Sequence, residues 1–336
     1  MSEIECQGLD GTSLLGFLAG LGTLEALGST AGPGEPVPRL RWAASGGMSA
    51  ALSGPACAET LARLVVADAQ SEAVSDVLSF KYVKREKAGL KLSRALSPPV
   101  AVLRAALAAR LGSGRAVSAD TLGTLMSETA TEELPDAQEL RRADLEAESI
   151  DCDPDFPLNV AASPTPFDFT SRNTQFLDQI RRVRDALTDE VVLRDLFQGE
   201  GTPIDRIMRW DALVDMPGAL FDRARPMTRP ASEWLAFRAI SYFPLVADRG
   251  RARMYGMTGR RKAGEFSWVL WDAPLRRCVV RSLLATRWAA VSSAERAARG
   301  VIAGFTVELR KDATGYDGAV SPSRPLGSAI EPFGTE

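Results

Sequence analysis

The stretch LLGFLAGLGTLEAL, residues 14–27, decides how the rest of the chain must fold. Leu14, Leu15, Phe17, Leu18, Leu21 and Leu24 cover nearly the whole circumference of a helix, and a helix apolar on all sides must be surrounded by protein. Asp10 or Thr12 can cap its start. Gly16, Gly20 and Gly22 each cost about 1 kcal/mol of helix propensity relative to Ala, and close approach of another element would offset that cost. These glycines therefore read as packing positions. A phosphate loop fits poorly: Glu25 stands where a dinucleotide fingerprint starting at Gly20 needs a third glycine, and no Gly-Lys-Ser/Thr triplet exists in the chain.

Outward from this helix, residues 31–38 (AGPGEPVP) form a turn-rich connection. A short strand over 39–43 and a helix over 56–69 follow. Leu78, Phe80 and Tyr82 alternate with Ser79, Lys81 and Val83, and Leu90 and Leu92 resume the alternation after Glu86-Lys87-Ala88-Gly89. This period predicts a β-hairpin over 77–94, with its lysines at the tip and on one face. Helices are predicted over 99–111 and 119–129. The acidic region 131–157, with Pro135, Pro154 and Pro157, reads as a boundary or mobile loop.

Phe167-Asp168-Phe169 then leads into a helix over 171–187 with Phe176, Ile180, Val183 and Leu187 as its core stripe. A helix over 229–243 has Pro230 in its first turn and Trp234, Leu235, Phe237 and Ile240 turned inward. Strands are predicted over 246–257, 265–271 and 301–309, a helical segment over 274–298, and an irregular tail from 311. Helices and antiparallel strands mix without a βαβ rhythm, so the predicted class is α+β, in two lobes. The expected division is an N-terminal α+β domain (1–130) carrying the basic hairpin, an acidic linker (131–165), a second α+β domain (166–310) and a tail (311–336).

The 336 residues, 45% of them apolar, can bury a substantial core. Cys6, Cys57, Cys152 and Cys278 include no CxxC pair, so neither a disulfide scaffold nor a zinc knuckle is indicated. The N-terminal residues lack a secretory layout and no apolar run reaches membrane-spanning length. A soluble, cytoplasmic protein with no membrane partner is expected. The chain contains no histidine. That excludes Ser-His-Asp and Cys-His nucleophile systems and His-ligated metals, and removes the commonest acid/base near neutral pH. A protein that is not an enzyme and needs no cofactor is the expectation.

The net charge of −3 conceals segregated signs. Residues 81–94 (KYVKREKAGLKLSR) hold six cations and one acid, residues 249–262 six cations and no acid, and residues 120–155 twelve carboxylates against Arg141 and Arg142. Basic, aromatic-interleaved segments suit a surface that follows a phosphate backbone, and Tyr82 and Tyr255 could stack on unpaired bases. Two solvated loops, or a core position for Tyr82, explain the same residues. The alternation Asp151-Cys152-Asp153-Pro154-Asp155 fails the EF-hand template, with Phe156 where glycine is needed and Ala162 where a glutamate belongs. It leaves open a metal-dependent nuclease using Asp151, Asp153 and Asp155. A structural subunit whose basic segments meet acidic protein is a further alternative.

Four segments together resemble the large subunit of type I CRISPR surveillance (Cascade) complexes, in the small, divergent form of type I-G (formerly I-U) systems. They are LLGFLAGLGTLEAL, the basic hairpin FKYVKREKAGLKL, PFDFTSRNTQFL at 166–177, and RPASEWLAFRAISYFP followed by FSWVLWDAPL. In order they span about residues 12–285. The resemblance implies a non-catalytic subunit that recognises the protospacer-adjacent motif (PAM) in double-stranded DNA, stabilises the R-loop and offers a docking surface to the helicase-nuclease. Guide RNA supplies sequence specificity in such assemblies through base pairing with the target strand. Its implied partners are CRISPR RNA, target double-stranded DNA, the other Cascade subunits and the helicase-nuclease. Carried onto this chain, it makes Lys81, Lys84, Arg85, Lys87, Lys91 and Arg94 candidates for backbone contacts. Arg172, Asn173 and Gln175 become candidates for base-edge or phosphate contact, since Asn and Gln can pair with adenine. Arg251, Arg253, Arg260, Arg261 and Lys262 form a third surface.

Overall fold

The computed structural model describes residues 3–30, 32, 34, 36–44, 47–86, 89–133, 160–170, 175–203, 208–211, 227–248, 251–260, 263–311 and 318–327. Strand β1 (Glu3–Asp10) runs into helix α1 (Leu14–Thr30). Asp10 holds the turn between them, its carboxylate accepting from the Thr12 amide at 2.9 Å and hydroxyl at 2.7 Å. Ser13 is the cap: its Oγ accepts from the Gly16 N–H at 3.0 Å.

Next come β2 (Arg39–Ala43), β3 (Ser49–Ser53), α2 (Ala58–Ala69), α3 (Glu72–Ser79), β4 (Tyr82–Glu86), β5 (Gly89–Ser93), α4 (Val100–Gly112) and α5 (Ala116–Leu125). They lead to β6 (Met126–Glu133), β7 (Val160–Pro164), α6 (Phe176–Asp185) and α7 (Asp189–Leu193), which runs on as a π turn, Arg194–Gln198. After β8 (Thr202–Pro203) and β9 (Met227–Thr228), helix α8 (Pro230–Ala239) ends in a 3-10 turn, Ile240–Tyr242. The rest is β10 (Leu245–Asp248), β11 (Arg251–Met254), β12 (Met257–Arg260), β13 (Ala263–Trp271), β14 (Leu275–Arg276), α9 (Arg277–Leu284), the 3-10 turn Trp288–Ala290, α10 (Ser293–Ala298), β15 (Val301–Lys311), β16 (Gly318–Val320) and β17 (Arg324–Pro325). Among the described residues every strand pairing is antiparallel, and the class is α+β.

One four-stranded sheet has the order β1-β3-β2-β14, and a second has β12-β13-β15-β16 with β17 also on β15. Helix α1 touches both, Phe17 packing on Trp42 of β2 and on Trp268 of β13, and it is buried at every position from Leu14 to Leu27. Its main partner is α8, all ten of whose residues are buried. The contact is close because Gly22 has no side chain: a Cβ there would overlap the Leu235 carbonyl and lie 2.9 Å from its Cα. Phe17 stacks on Trp268 with ring centroids 5.5 Å apart, and Phe167 and Phe243 meet Phe266 edge-on at 5.1 and 5.3 Å. Tryptophan N–H groups find carbonyls, Trp268 at Gly11, Trp271 at Leu40 and Trp210 at Phe167, and Trp234 finds the Asp68 carboxylate, whereas the Trp42 N–H is buried without a partner among the described residues.

Helix α8 is capped from a distance. Asp195, fully buried in the π turn, accepts from the Ser232 N–H at 2.9 Å and hydroxyl at 2.6 Å. Arg229 donates to Asp195 Oδ1 at 2.9 Å and to the carbonyls of Asp195 (3.0 Å) and Gly8 (2.5 Å). One carboxylate thus satisfies a helix terminus, neutralises the adjacent arginine and ties both to β1.

The expected lobes share one core. A single apolar cluster runs from Cys6 to Val320, crossing the expected 131–165 boundary, and β14 completes the N-terminal sheet. The predicted hairpin over 77–94 is shorter. Residues Glu72–Ser79 are helical, with Val74, Val77 and Leu78 buried at i, i+3 and i+4 and Ser71 capping; pairing begins only at Tyr82. The predicted strand 246–257 folds back on itself as β10 and β11. The predicted helix 274–298 is broken by β14 and the turn at Trp288, and the described part of the tail adds β16 and β17 to β15. Among the described residues no helix is long and apolar enough to cross a membrane.

Candidate nucleic-acid interface

The basic hairpin pairs in the register Tyr82↔Ser93, Val83↔Leu92, Lys84↔Lys91, Arg85↔Leu90 and Glu86↔Gly89. Lys81 and Lys91 are exposed, as is Leu92 at 49%. The side chains of Lys84 and Arg85, and Lys87 altogether, lie outside the described residues. Tyr82 anchors the hairpin and is no stacking platform. Its ring is buried 6.3 Å from that of Phe80, and its hydroxyl donates to the Ser97 carbonyl at 3.1 Å. Burial pushes the phenol above its ordinary pKa, keeping it a neutral donor.

Where β5 ends, the hairpin meets the start of α6. The Arg94 backbone N–H donates to Gln175 Oε1, and Arg94 Nη1 reaches Asp178 Oδ1 at 3.3 Å. With one lone pair of its carbonyl so engaged, Gln175 keeps its NH₂ group and a second lone pair for other partners. Arg181, one turn along α6, stands beside this pair. Burial, reinforced by the Arg94 charge, lowers its pKa. Its Nε is buried without a hydrogen-bond partner among the described residues. Arg172 and Asn173 lie outside the described residues.

The third basic segment is β11 and β12, joined by Tyr255-Gly256. Gly256 has φ +77° and its carbonyl accepts from the Ser267 N–H at 2.9 Å, which pins this turn to β13. A Cβ at Gly256 would lie 2.8 Å from the Phe266 ring. Arg253 and Tyr255 are exposed at the edge of a cavity floored by Met254 and Trp288. The side chains of Arg251 and Arg260, and Arg261 and Lys262 altogether, lie outside the described residues. Residues 160–170 touch the surroundings of both this segment and the hairpin. Ala162 N–H donates to the Pro98 carbonyl at 2.8 Å on the hairpin side, and Pro166 lines the cavity.

Sequence reasoning missed two polar clusters. Glu25 in α1 faces Arg277 (2.7 Å), and Asp68 in α2 pairs with Arg238 (3.0 Å) and accepts from Ser29. Arg281 covers the ring of Tyr242 at 5.6 Å. Burial raises both Glu25 and Tyr242, against the arginines that lower them. The i,i+4 spacing of Arg277 and Arg281 beside buried Val280 and Leu284 carried the signal for an arginine-bearing face. The other cluster surrounds Glu233, buried in α8, whose Oε1 accepts from the Met208 N–H at 3.2 Å. Burial pushes its carboxyl up to about 8. No local pattern around Asp195 or Glu233 announces a buried acid.

Asp151, Asp153 and Asp155 lie outside the described residues. Among the described residues no group of three or more Cys, Asp or Glu side chains could hold a metal ion. No protein-family model and no curated protein matches the chain.

Proposed function

We propose that this chain is a non-catalytic, cytoplasmic DNA-binding subunit of an RNA-guided effector: the large subunit of a type I CRISPR surveillance complex of the small type I-G form. In this reading it recognises the PAM in target duplex, stabilises the R-loop beside the CRISPR RNA and other Cascade subunits, and helps recruit the helicase-nuclease. The observation that carries it is the Arg94–Gln175 contact, which brings two of the candidate segments, far apart in sequence, to one place. The hairpin register supports it as well. In that register positions 84 and 91 stand directly opposite each other, which places two of the candidate backbone-contact positions side by side. The resembling segments also interlock: α1 packs on α8, Phe17 on Trp268, and Phe167 on Phe266.

The test is target binding by the complex assembled with guide RNA and backbone subunits, with Lys81, Lys84, Arg85 and Lys87 replaced together by alanine. Each lost phosphate contact lowers the slope of log affinity against log salt by about 0.9. The variant should bind more weakly across target sequences, with a flatter slope. Unchanged affinity at several salt concentrations removes the hairpin from the interface.

A further inference from the structure

The cavity between the Tyr255-Gly256 turn and the Trp288–Ala290 turn encloses about 680 Å³, inside the range of about 300–1,000 Å³ for small-ligand sites. Its floor is apolar: Pro166, Met254 and Trp288 are buried beneath it. Tyr255 stands on the rim, 36% exposed. Among the described lining residues the charged ones are Arg253 and Arg287, both exposed, and no carboxylate lines the space. An apolar slot with a half-open phenol ring and two guanidinium groups suits a flat ring joined to an anion. A lipid tail would meet the Arg287 guanidinium with no charge of its own, and an acidic peptide would leave the ring and floor unused. The walls are preformed. Gly256 is tied to Ser267 at 2.9 Å, and the Trp288 indole donates to the Leu283 carbonyl at 2.9 Å, so little ordering remains to be done on binding.

We infer that this cavity binds one unpaired nucleotide, with the base stacked on Tyr255 above the Met254 and Trp288 floor and the phosphate held by Arg287 at the rim. The inference deepens the proposed function and rests on its nucleic-acid part. Such a site requires a base free of its partner strand, because a paired base cannot leave its stack without opening the duplex.

The full chain is titrated with a ten-nucleotide single strand carrying one 2-aminopurine, whose fluorescence drops on stacking, and with the same strand annealed to its complement. Tyr255→Ala should weaken single-strand binding about 5- to 150-fold and abolish the fluorescence change, with duplex binding unaltered. Tyr255→Phe, which keeps the ring, should stay within about three-fold of the parent. Adenosine monophosphate as competitor separates the sources: displacement of the strand points to a free nucleotide, and its failure to a nucleotide within a strand. An unchanged melting temperature shows that the exposed Tyr255 can be lost without unfolding. Single-strand affinity and fluorescence that ignore Tyr255→Ala overturn the inference, as does an equal loss of single-strand and duplex binding. The two readings fail separately. Hairpin-dependent DNA binding without a Tyr255 signal removes the cavity alone. A Tyr255 signal in a chain that never joins a guide-RNA complex removes the subunit assignment and leaves the cavity standing.

Discussion

Replacing Gly22 by alanine tests the crossing of α1 and α8, and Gly28 in the same helix supplies the control. At Gly22 the added methyl would overlap the Leu235 carbonyl and come within 2.9 Å of its Cα. The conflict is with backbone, so no change of rotamer removes it. Helix α8 would have to retreat, yet Trp234 and Leu235 are fully buried and its first turn is held by Asp195. Overpacking costs about 1–3 kcal/mol and more where backbone must shift, against about 1 kcal/mol regained in helix propensity. A net loss of about 2 kcal/mol is expected, a sizeable part of the roughly 5–15 kcal/mol that keeps a domain folded. At Gly28 the new methyl meets only Arg277 Cδ, at 3.9 Å. That variant should be more stable by up to about 1 kcal/mol. Urea unfolding of the parent and both variants reads the two effects as opposite shifts of the midpoint. Equal shifts in one direction, or a Gly22→Ala protein as stable as the parent, would refute the close crossing.

The other predictions concern the buried acids. Asp195→Ala leaves Arg229 and the first turn of α8 without their acceptor and should cost about 3–5 kcal/mol, measured by the same urea unfolding; a loss under about 1 kcal/mol would show that the cap is dispensable. Glu233 holds its proton in the folded state up to about 8, whereas the unfolded chain releases it near the ordinary value of 4.5. Its contribution is therefore most favourable below 4.5, declines as pH rises from there to about 8 at up to about 1.4 kcal/mol per pH unit, and is level above. Glu233→Gln should abolish that decline, so unfolding midpoints of the two proteins that run parallel from pH 5 to 9 would contradict it.

Legibility in the sequence followed burial. The helix over 14–27 was readable because its leucines leave no polar face, and the strand over 39–43 and the stripe Phe176, Ile180, Val183 because a period can be counted. The segment over 77–81 misled because Leu78 and Phe80 fit a two-residue alternation while Val74, Val77 and Leu78 fit a helix; the Ser71 cap and the wall offered to that apolar stripe decided for the helix. Strands β1 and β3 were missed because they are defined by pairing with each other, β3 with Ala50 and Ala51 in place of β-branched residues. The candidate interface was legible only as charge. That Arg94 would find Gln175 and Asp178, 81 and 84 residues away, depends on the packing of the whole chain. Asp195 and Glu233 resemble surface acids in sequence, and only tertiary contacts bury them.

The strand Leu275–Arg276 on the open edge of β2 carries a consequence for synthesis. The ribosome delivers α1 early, but its covering helix follows only after residue 239, and the first sheet lacks its fourth strand until residue 276 has emerged. A nascent chain must therefore carry an unshielded leucine-rich segment through most of translation. Stopping synthesis anywhere before that strand leaves the helix uncovered or the edge unpaired, so this part of the core closes only once residues 275–276 have emerged.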